Sequence, residues 1–298
     1  MIIKIGSECM GIWGKFIVEY FIRKVIKNID VNIIYENSDD CDIIIRSVFY
    51  NNEEHWNTKP KKYIYWSGEF YTPASSEYET SHIYMLTTTI EPYEYLHIPY
   101  FLFSSHINKD RLKSNIDRKY LLGYCSSRSI PHREEIYNAF VENSPKNSCH
   151  ALGASYGNYI DTKIEKVEGE WFDFKLIEVY SNYKFVLAIE NTKEQGYITE
   201  KIVNAFYSGA IPIYWGCSTI NNYFNKNAFI NVDDFSSYEE CVKYVNNLDE
   251  ATIQKMSSEP IYNPESELVN LLNDEYNSTH TNKTYELYLS KFKEFLLN

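Results

Sequence analysis

A continuous apolar run, Phe185-Val186-Leu187-Ala188-Ile189, is followed by a polar stretch over residues 190–196, then by apolar positions at Ile202, Val203 and Phe206 spaced for one face of a helix. Unbroken apolarity suits a strand buried on both faces, whereas a half-exposed strand would alternate. Thr199 is of the N-cap type just ahead of the helical stripe. Gly209 stands where a left-handed C-terminal residue is needed before Ala210-Ile211-Pro212-Ile213-Tyr214 returns as a strand. The segment predicts a βαβ unit.

The same theme recurs along the chain. Residues 2–5 read as a strand, 6–14 as a loop and 15–27 as an amphipathic helix; 31–35, 42–48, 62–65 and 81–86 follow as strands. Residues 104–118 are polar and charged without periodicity and make a candidate linker. Beyond them 119–124 reads as a strand, 133–141 as a helix, Gly153 as a turn, 172–181 as a helix, 229–232 as a strand, and the chain from Ser237 onward as helices. Alternating strands and helices in two halves predict an α/β protein with two Rossmann-like domains, residues 1–112 and 113–298. Residues 285–295 have one apolar helical face and are a candidate to return to the first domain.

Ionisable and amide groups concentrate at the junction of strand and helix. In such α/β units ligands bind beyond the carboxyl ends of the strands, beside helix N-termini whose free N–H groups favour anions. Lys201 lies in the first helical turn, where the dipole disfavours a cation by ~0.3–1 kcal/mol unless a negative group is near. Asn191, Tyr197, Glu200 and Lys201 thus flank a candidate anion site, with a diphosphate as occupant; an ordinary βα turn with solvated charges accounts for the same residues. Gly6, Gly11 and Gly14 lack the spacing of a dinucleotide loop and read as a tight turn.

Composition narrows the class. With 298 residues, 44% hydrophobic and 23% charged, the chain has the make-up of a soluble globular enzyme large enough for two cores. A net charge of -12 opposes affinity for nucleic acid or anionic membrane, so phosphate must be met by a local positive cluster. Cys9, Cys41, Cys125, Cys149, Cys217 and Cys241 form no Cys-x-x-Cys pair, and the histidines show no ligand spacing. Asp40-Cys41-Asp42 and Asp233-Asp234 read as strand-end and turn residues, so no metal site is expected. No apolar run approaches about 18 residues, and the chain opens directly on a strand, from which a cytoplasmic protein without signal peptide or membrane anchor is expected.

The string ENTKEQGYITEKIVNAFYSGAIPIYWG over residues 190–216 resembles the signature of the α-1,3/4-fucosyltransferase family, in particular its soluble microbial branch. That signature runs Glu-Asn-(Ser/Thr), a few variable residues, Tyr-(Ile/Val)-Thr-Glu-Lys and a Pro-(Ile/Val)-x-x-Gly strand. The resemblance implies the glycosyltransferase-B fold, two Rossmann-like domains facing a central cleft. It implies that Lys201 meets the donor diphosphate, that Glu200 contacts the sugar near its ring oxygen, and that Asn191 and Tyr197 line the donor pocket. Pro131-His132-Arg133 supplies the family's diphosphate-binding arginine as Arg133, with Arg128 a nearby alternative. Ser126 and Gly153 are counted with the donor site; Ser127 stands where the family has asparagine. Ser67-Gly68-Glu69-Phe70-Tyr71-Thr72-Pro73 resembles the stretch that carries the catalytic carboxylate in bacterial relatives, which falls on Glu69.

The function so implied is inverting transfer of L-fucose from GDP-β-L-fucose to a glycan hydroxyl, α-1,3 or α-1,4 to N-acetylglucosamine, with no cofactor and no metal. Its partners are the nucleotide sugar and the glycan. Two alternatives remain open at this point: a transferase of the same fold using another nucleotide-activated deoxysugar, and a catalytically silent glycan-binding protein.

Overall fold

A computed structural model describes residues 2–8, 10, 14–15, 17–22, 31–36, 40–47, 62–70, 82–86, 95–97, 99–101, 118–153, 174–266 and 283–298. The chain divides into two units: Met1–Tyr100 with Glu194–Tyr197 and Glu267–Asn298, and Phe101–Lys193 with Ile198–Ser266. The expected boundary at 112/113 lies outside the described residues, as does the candidate linker up to residue 117. Arg118, counted with that linker, is part of the second unit. Its guanidinium donates to the carbonyls of Ser181 (3.1 Å), Tyr183 (3.0 Å) and Ser208 (3.3 Å).

In the first unit, β1 (Ile2–Glu8), β2 (Asn32–Tyr35), β3 (Ile43–Ser47), β4 (Lys62–Ser67), β5 (His82–Leu86) and β6 (Tyr95–His97) form one sheet. Its order is β2-β1-β3-β4-β5-β6 and every pairing is parallel. Ile43, Ile44 and Ile45 are all buried, as an apolar run between two covering layers requires. The helix expected over 15–27 is described at Ile17–Ile22, where it is π-helical and buries Ile17, Val18 and Ile22.

In the second unit β7 (Tyr120–Tyr124), α1 (Pro131–Asn143), β8 (Cys149–Ala151), α2 (Phe174–Tyr180), β9 (Tyr183–Ile189), α3 (Glu200–Tyr207), β10 (Ile211–Trp215), β11 (Ile230–Asn231), α4 (Tyr238–Asn246) and α5 (Glu250–Ser258) follow in order. The sheet runs β11-β10-β9-β7-β8, again all parallel. Counted from its own first strand, each unit has the doubly wound order 2-1-3-4-5, extended by one strand in the first. Alternate residues of β9 serve opposite layers: Phe185, Leu187 and Ile189 pack with Ile136, Phe140 and Val242, whereas Val186 packs with Tyr180, Ala205 and Ala210. Each such large side chain contributes ~1.5–3 kcal/mol on burial.

The strand expected over 229–232 extends only through Ile230–Asn231, because Val232–Asp234 closes into a 3-10 turn capped by Asn231. Ser237 and Asp249 cap α4 and α5, accepting from the N–H groups of Glu240 (3.2 Å) and Thr252 (2.7 Å). The last helix, α6 (Lys283–Leu297), buries Phe292 and Leu296, and Lys62 donates to the Phe295 carbonyl at 2.6 Å near its C-terminus. Among the described residues no helix is long and apolar enough to cross a membrane.

Candidate active site

A doubly wound sheet opens where its strand order reverses, at the carboxyl ends of the two strands on either side. In the second unit those strands are β7 and β9, so the segments leaving them, 125–130 and 190–193, face the same place. Ser126, Arg133 and Asn191 meet there. Arg133, only 5% exposed, donates through Nη1 to Ser126 Oγ at 3.2 Å, through Nε to the Glu190 carbonyl at 3.4 Å, and through Nη2 to Asn191 Oδ1. A planar fork held on three sides is fixed in direction, which suits it to an oxyanion. Pro131 opens α1 beside it, and the first-turn N–H groups add positive potential.

Gly153 fixes the Ser126 turn from the neighbouring strand. A Cβ at Gly153 would lie 2.1 Å from the Ser126 carbonyl oxygen, so only glycine lets the chain leaving β8 pass the Ser126 backbone. Ser126 Oγ donates in turn to the Arg128 carbonyl at 2.8 Å. Cys125, at the end of β7, is buried enough to push its thiol up to about 11, which makes it a packing residue and not a nucleophile.

Lys201 explains its own misplacement in a first helical turn. Its Nζ lies 3.1 Å from Glu190 Oε2, 2.7 Å from Thr199 Oγ1 and 3.7 Å from Glu200 Oε1. Burial pulls the ammonium pKa down and Arg133 adds to that, but the charges of Glu190 and Glu200 outweigh both and hold it above the ordinary lysine value. Thr199 stands at the N-cap position of α3 but makes no side-chain cap bond there. This departs from the expected cap, because its hydroxyl donates to Glu190 Oε2 at 2.8 Å while its N–H donates to Glu190 Oε1 at 2.7 Å.

Glu190 is thus the residue that sequence reading passed over. Its side chain is 0% exposed, its carboxylate accepts from Thr199 and Lys201, and its carbonyl accepts from Arg133. The available signal was an acidic residue placed directly at the end of a buried apolar strand. Gly216 belongs to the same packing: a Cβ there would sit 2.6 Å from Tyr214 Oη and 2.7 Å from Glu190 Cγ. Close approach of protein side chains therefore accounts for that glycine. Trp215 is stacked on His132 at 4.2 Å, with the Lys193 ammonium 4.9 Å from its ring.

Glu69 and Tyr197 belong to the first unit. Glu69 follows β4, where its N–H and carbonyl both bond Ser67 Oγ, at 3.2 and 3.1 Å. Gly68 is required because a Cβ there would meet the rings of Trp66 and Tyr100 at 2.8 Å. Tyr197 is buried with its ring edge-on to Phe70 at 6.1 Å. At this unit's own point of strand reversal, between β1 and β3, Arg46 Nε donates to Glu8 Oε2 at 2.8 Å over the ring of Tyr63, a buried pair the sequence did not suggest. Asp40 and Asp42 both engage Lys4, through its ammonium and its backbone N–H, each at 2.9 Å. Asp233 pairs with Lys193 at 2.6 Å.

Residues 123–257 match the family described as glycosyltransferase family 10 (fucosyltransferase) C-term. The chain is 33% identical over 177 residues to a putative fucosyltransferase of Acanthamoeba polyphaga mimivirus, covering 56% of this chain and 29% of that protein. It is 37% identical over 121 residues to an alpha-(1,3)-fucosyltransferase of Helicobacter pylori, covering 41% and 23%. To an alpha-(1,4)-fucosyltransferase of Arabidopsis thaliana it is 34% identical over 136 residues, covering 43% and 34%. The chain therefore spans between 23% and 34% of the lengths of these relatives. A solved alpha1,3-fucosyltransferase with GDP-fucose superposes with a TM-score of 0.67 over 99% of this chain and 90% of that one at 20% identity, which is agreement of fold. Two doubly wound parallel sheets make this an α/β protein with the fold of the solved alpha1,3-fucosyltransferases, the glycosyltransferase-B type, and its residues 123–257 match glycosyltransferase family 10 (fucosyltransferase) C-term.

Proposed function

We propose that the protein transfers L-fucose from GDP-β-L-fucose to a glycan hydroxyl, in one inverting displacement that needs no metal. The observation that carries this reading is the meeting of two fixed cations, Arg133 and Lys201, at the strand-reversal point of the second unit. As the sugar–phosphate bond breaks, the leaving GDP gains negative charge, and pre-oriented positive groups stabilise it without reorganisation. Arg133 and Lys201 take that role, with Ser126, Asn191 and Gly153 shaping the turn that holds the arginine. Glu200, beside Lys201, holds the fucose and supports its positive ring oxygen in the transition state. Tyr197 lines the donor pocket. Glu69 accepts the proton of the attacking hydroxyl, and an N-acetylglucosamine hydroxyl is the acceptor that the relatives' activities suggest.

Calorimetry with GDP tests the reading. Arg133→Ala and Lys201→Ala each lower GDP affinity by about 1.5–3 kcal/mol, the worth of a charge-assisted contact. Unchanged affinity in both variants overturns the assignment. Hydrolysis of GDP-fucose in EDTA, beside a panel of other nucleotide-activated deoxysugars, checks metal independence and the donor sugar; strict metal dependence redirects attention to Asp40 and Asp42.

A further inference from the structure

We propose that Glu190 is a positioning residue of this site: its buried carboxylate keeps the Lys201 ammonium protonated and aimed, and so sets the pH range over which a nucleoside diphosphate is held. The inference deepens the reading above and rests on it. A wholly buried carboxylate must be paired and hydrogen-bonded to persist as an anion. Glu190 meets that demand with a closed triangle. Oε2 accepts from Lys201 Nζ at 3.1 Å and from Thr199 Oγ1 at 2.8 Å, and that hydroxyl itself accepts from Lys201 Nζ at 2.7 Å. Oε1 takes the Thr199 N–H at 2.7 Å. Two of the ammonium's three donors are thereby fixed, and the third is left on a side chain 25% exposed.

The charged groups facing Lys201 come from three elements: Glu190 after β9, Glu200 on α3 and Arg133 on α1; Tyr214 of β10 neighbours Glu190. Burial and Arg133 favour loss of the lysine proton, so the two carboxylates decide whether the cation survives, and Glu190 alone also touches it by hydrogen bond. The Glu190 carbonyl steadies Arg133, so one residue is tied to both cations. A merely structural Glu190 would alter stability and leave the lysine's titration where it was.

The test is Glu190→Gln, which keeps the shape and removes the charge. Lys201 Nζ is followed by NMR of lysine side chains, assigned by the signal lost in Lys201→Arg, and GDP affinity is measured from about pH 6 to about pH 10. In the variant Lys201 releases its proton at lower pH than in the wild type. GDP affinity then falls on the alkaline side, approaching about tenfold per pH unit, over a range where wild-type affinity is flat. If the glutamine variant does not fold, Glu190→Asp, which withdraws the charge from Lys201, carries the same comparison with a smaller displacement. An unchanged lysine titration in the folded variant, with GDP bound normally by the wild type, overturns the inference alone. Absence of GDP binding by the wild type overturns the donor-site reading, and this inference with it.

Discussion

Lys201 breaks a rule of helix electrostatics, and the group that makes it tolerable is supplied by the protein itself. A cation in a first helical turn marks a place where negative charge is needed, and Glu190 provides it at 3.1 Å. Asn191 and Lys201 stood out in the sequence from their place at the strand-to-helix junction of a βαβ unit, whereas Arg133, which follows a different strand, was marked by its resemblance to the family motif. Glu190 did not stand out, since a single acidic letter after a strand does not reveal that the chain will fold Thr199, nine positions on, back onto it. At this scale the sharpest expectation concerns Glu69. Glu69→Gln preserves the backbone bonds to Ser67, so it folds and binds GDP normally while transfer slows by ~10²–10⁴-fold. Steady-state transfer beside GDP calorimetry checks this; near-wild-type transfer returns Glu69 to an ordinary loop residue.

Among the elements, the long apolar runs were readable because burial on both faces leaves little choice of residue. The short strands β6, β8 and β11 were missed or overextended, since two or three residues cannot display a period and are fixed by their neighbours. Pro212, which on propensity argues against a central strand, is admitted because β11 pairs only with Ile213 and Tyr214 of β10, leaving Pro212 bordered by β9 alone. The end of α3 followed its expected chemistry: Gly209 adopts φ 75° and donates to the Phe206 carbonyl at 2.9 Å. Gly209→Ala is expected to cost about 1 kcal/mol by forcing a side chain into the left-handed region, and Gly209→Asn less. Urea unfolding of the two variants reads the difference, and an alanine variant as stable as the wild type would show the φ to be unimportant.

Across the whole molecule, two units repeat one strand order although the sequence shows no matching repeat. Neither unit's polar cluster is local in sequence: Arg133 reaches Glu190 and Asn191 across 57 and 58 positions, and the first unit's Glu8–Arg46 pair joins residues 38 apart. The division of the chain is also not a single cut, since α6 groups with the first unit. Phe292 is 0% exposed, and Phe292→Ala is expected to cost about 3–5 kcal/mol. If unfolding proceeds unit by unit, hydrogen exchange should locate that loss in β1–β6 and spare β7–β11; a uniform loss would instead mean that the units unfold together.

The placement of α6 has a consequence for biosynthesis. Domains usually become foldable in the order in which the ribosome delivers them. Here the strands of the first unit emerge early but wait for Phe292 and Leu296, while every described residue of the second unit, up to Ser266, has already been translated. The unit begun first is the one finished last, so a nascent chain stalled shortly after Ser266 would present a complete second unit joined to an incomplete first one, the state in which chaperones would find it most in need of cover.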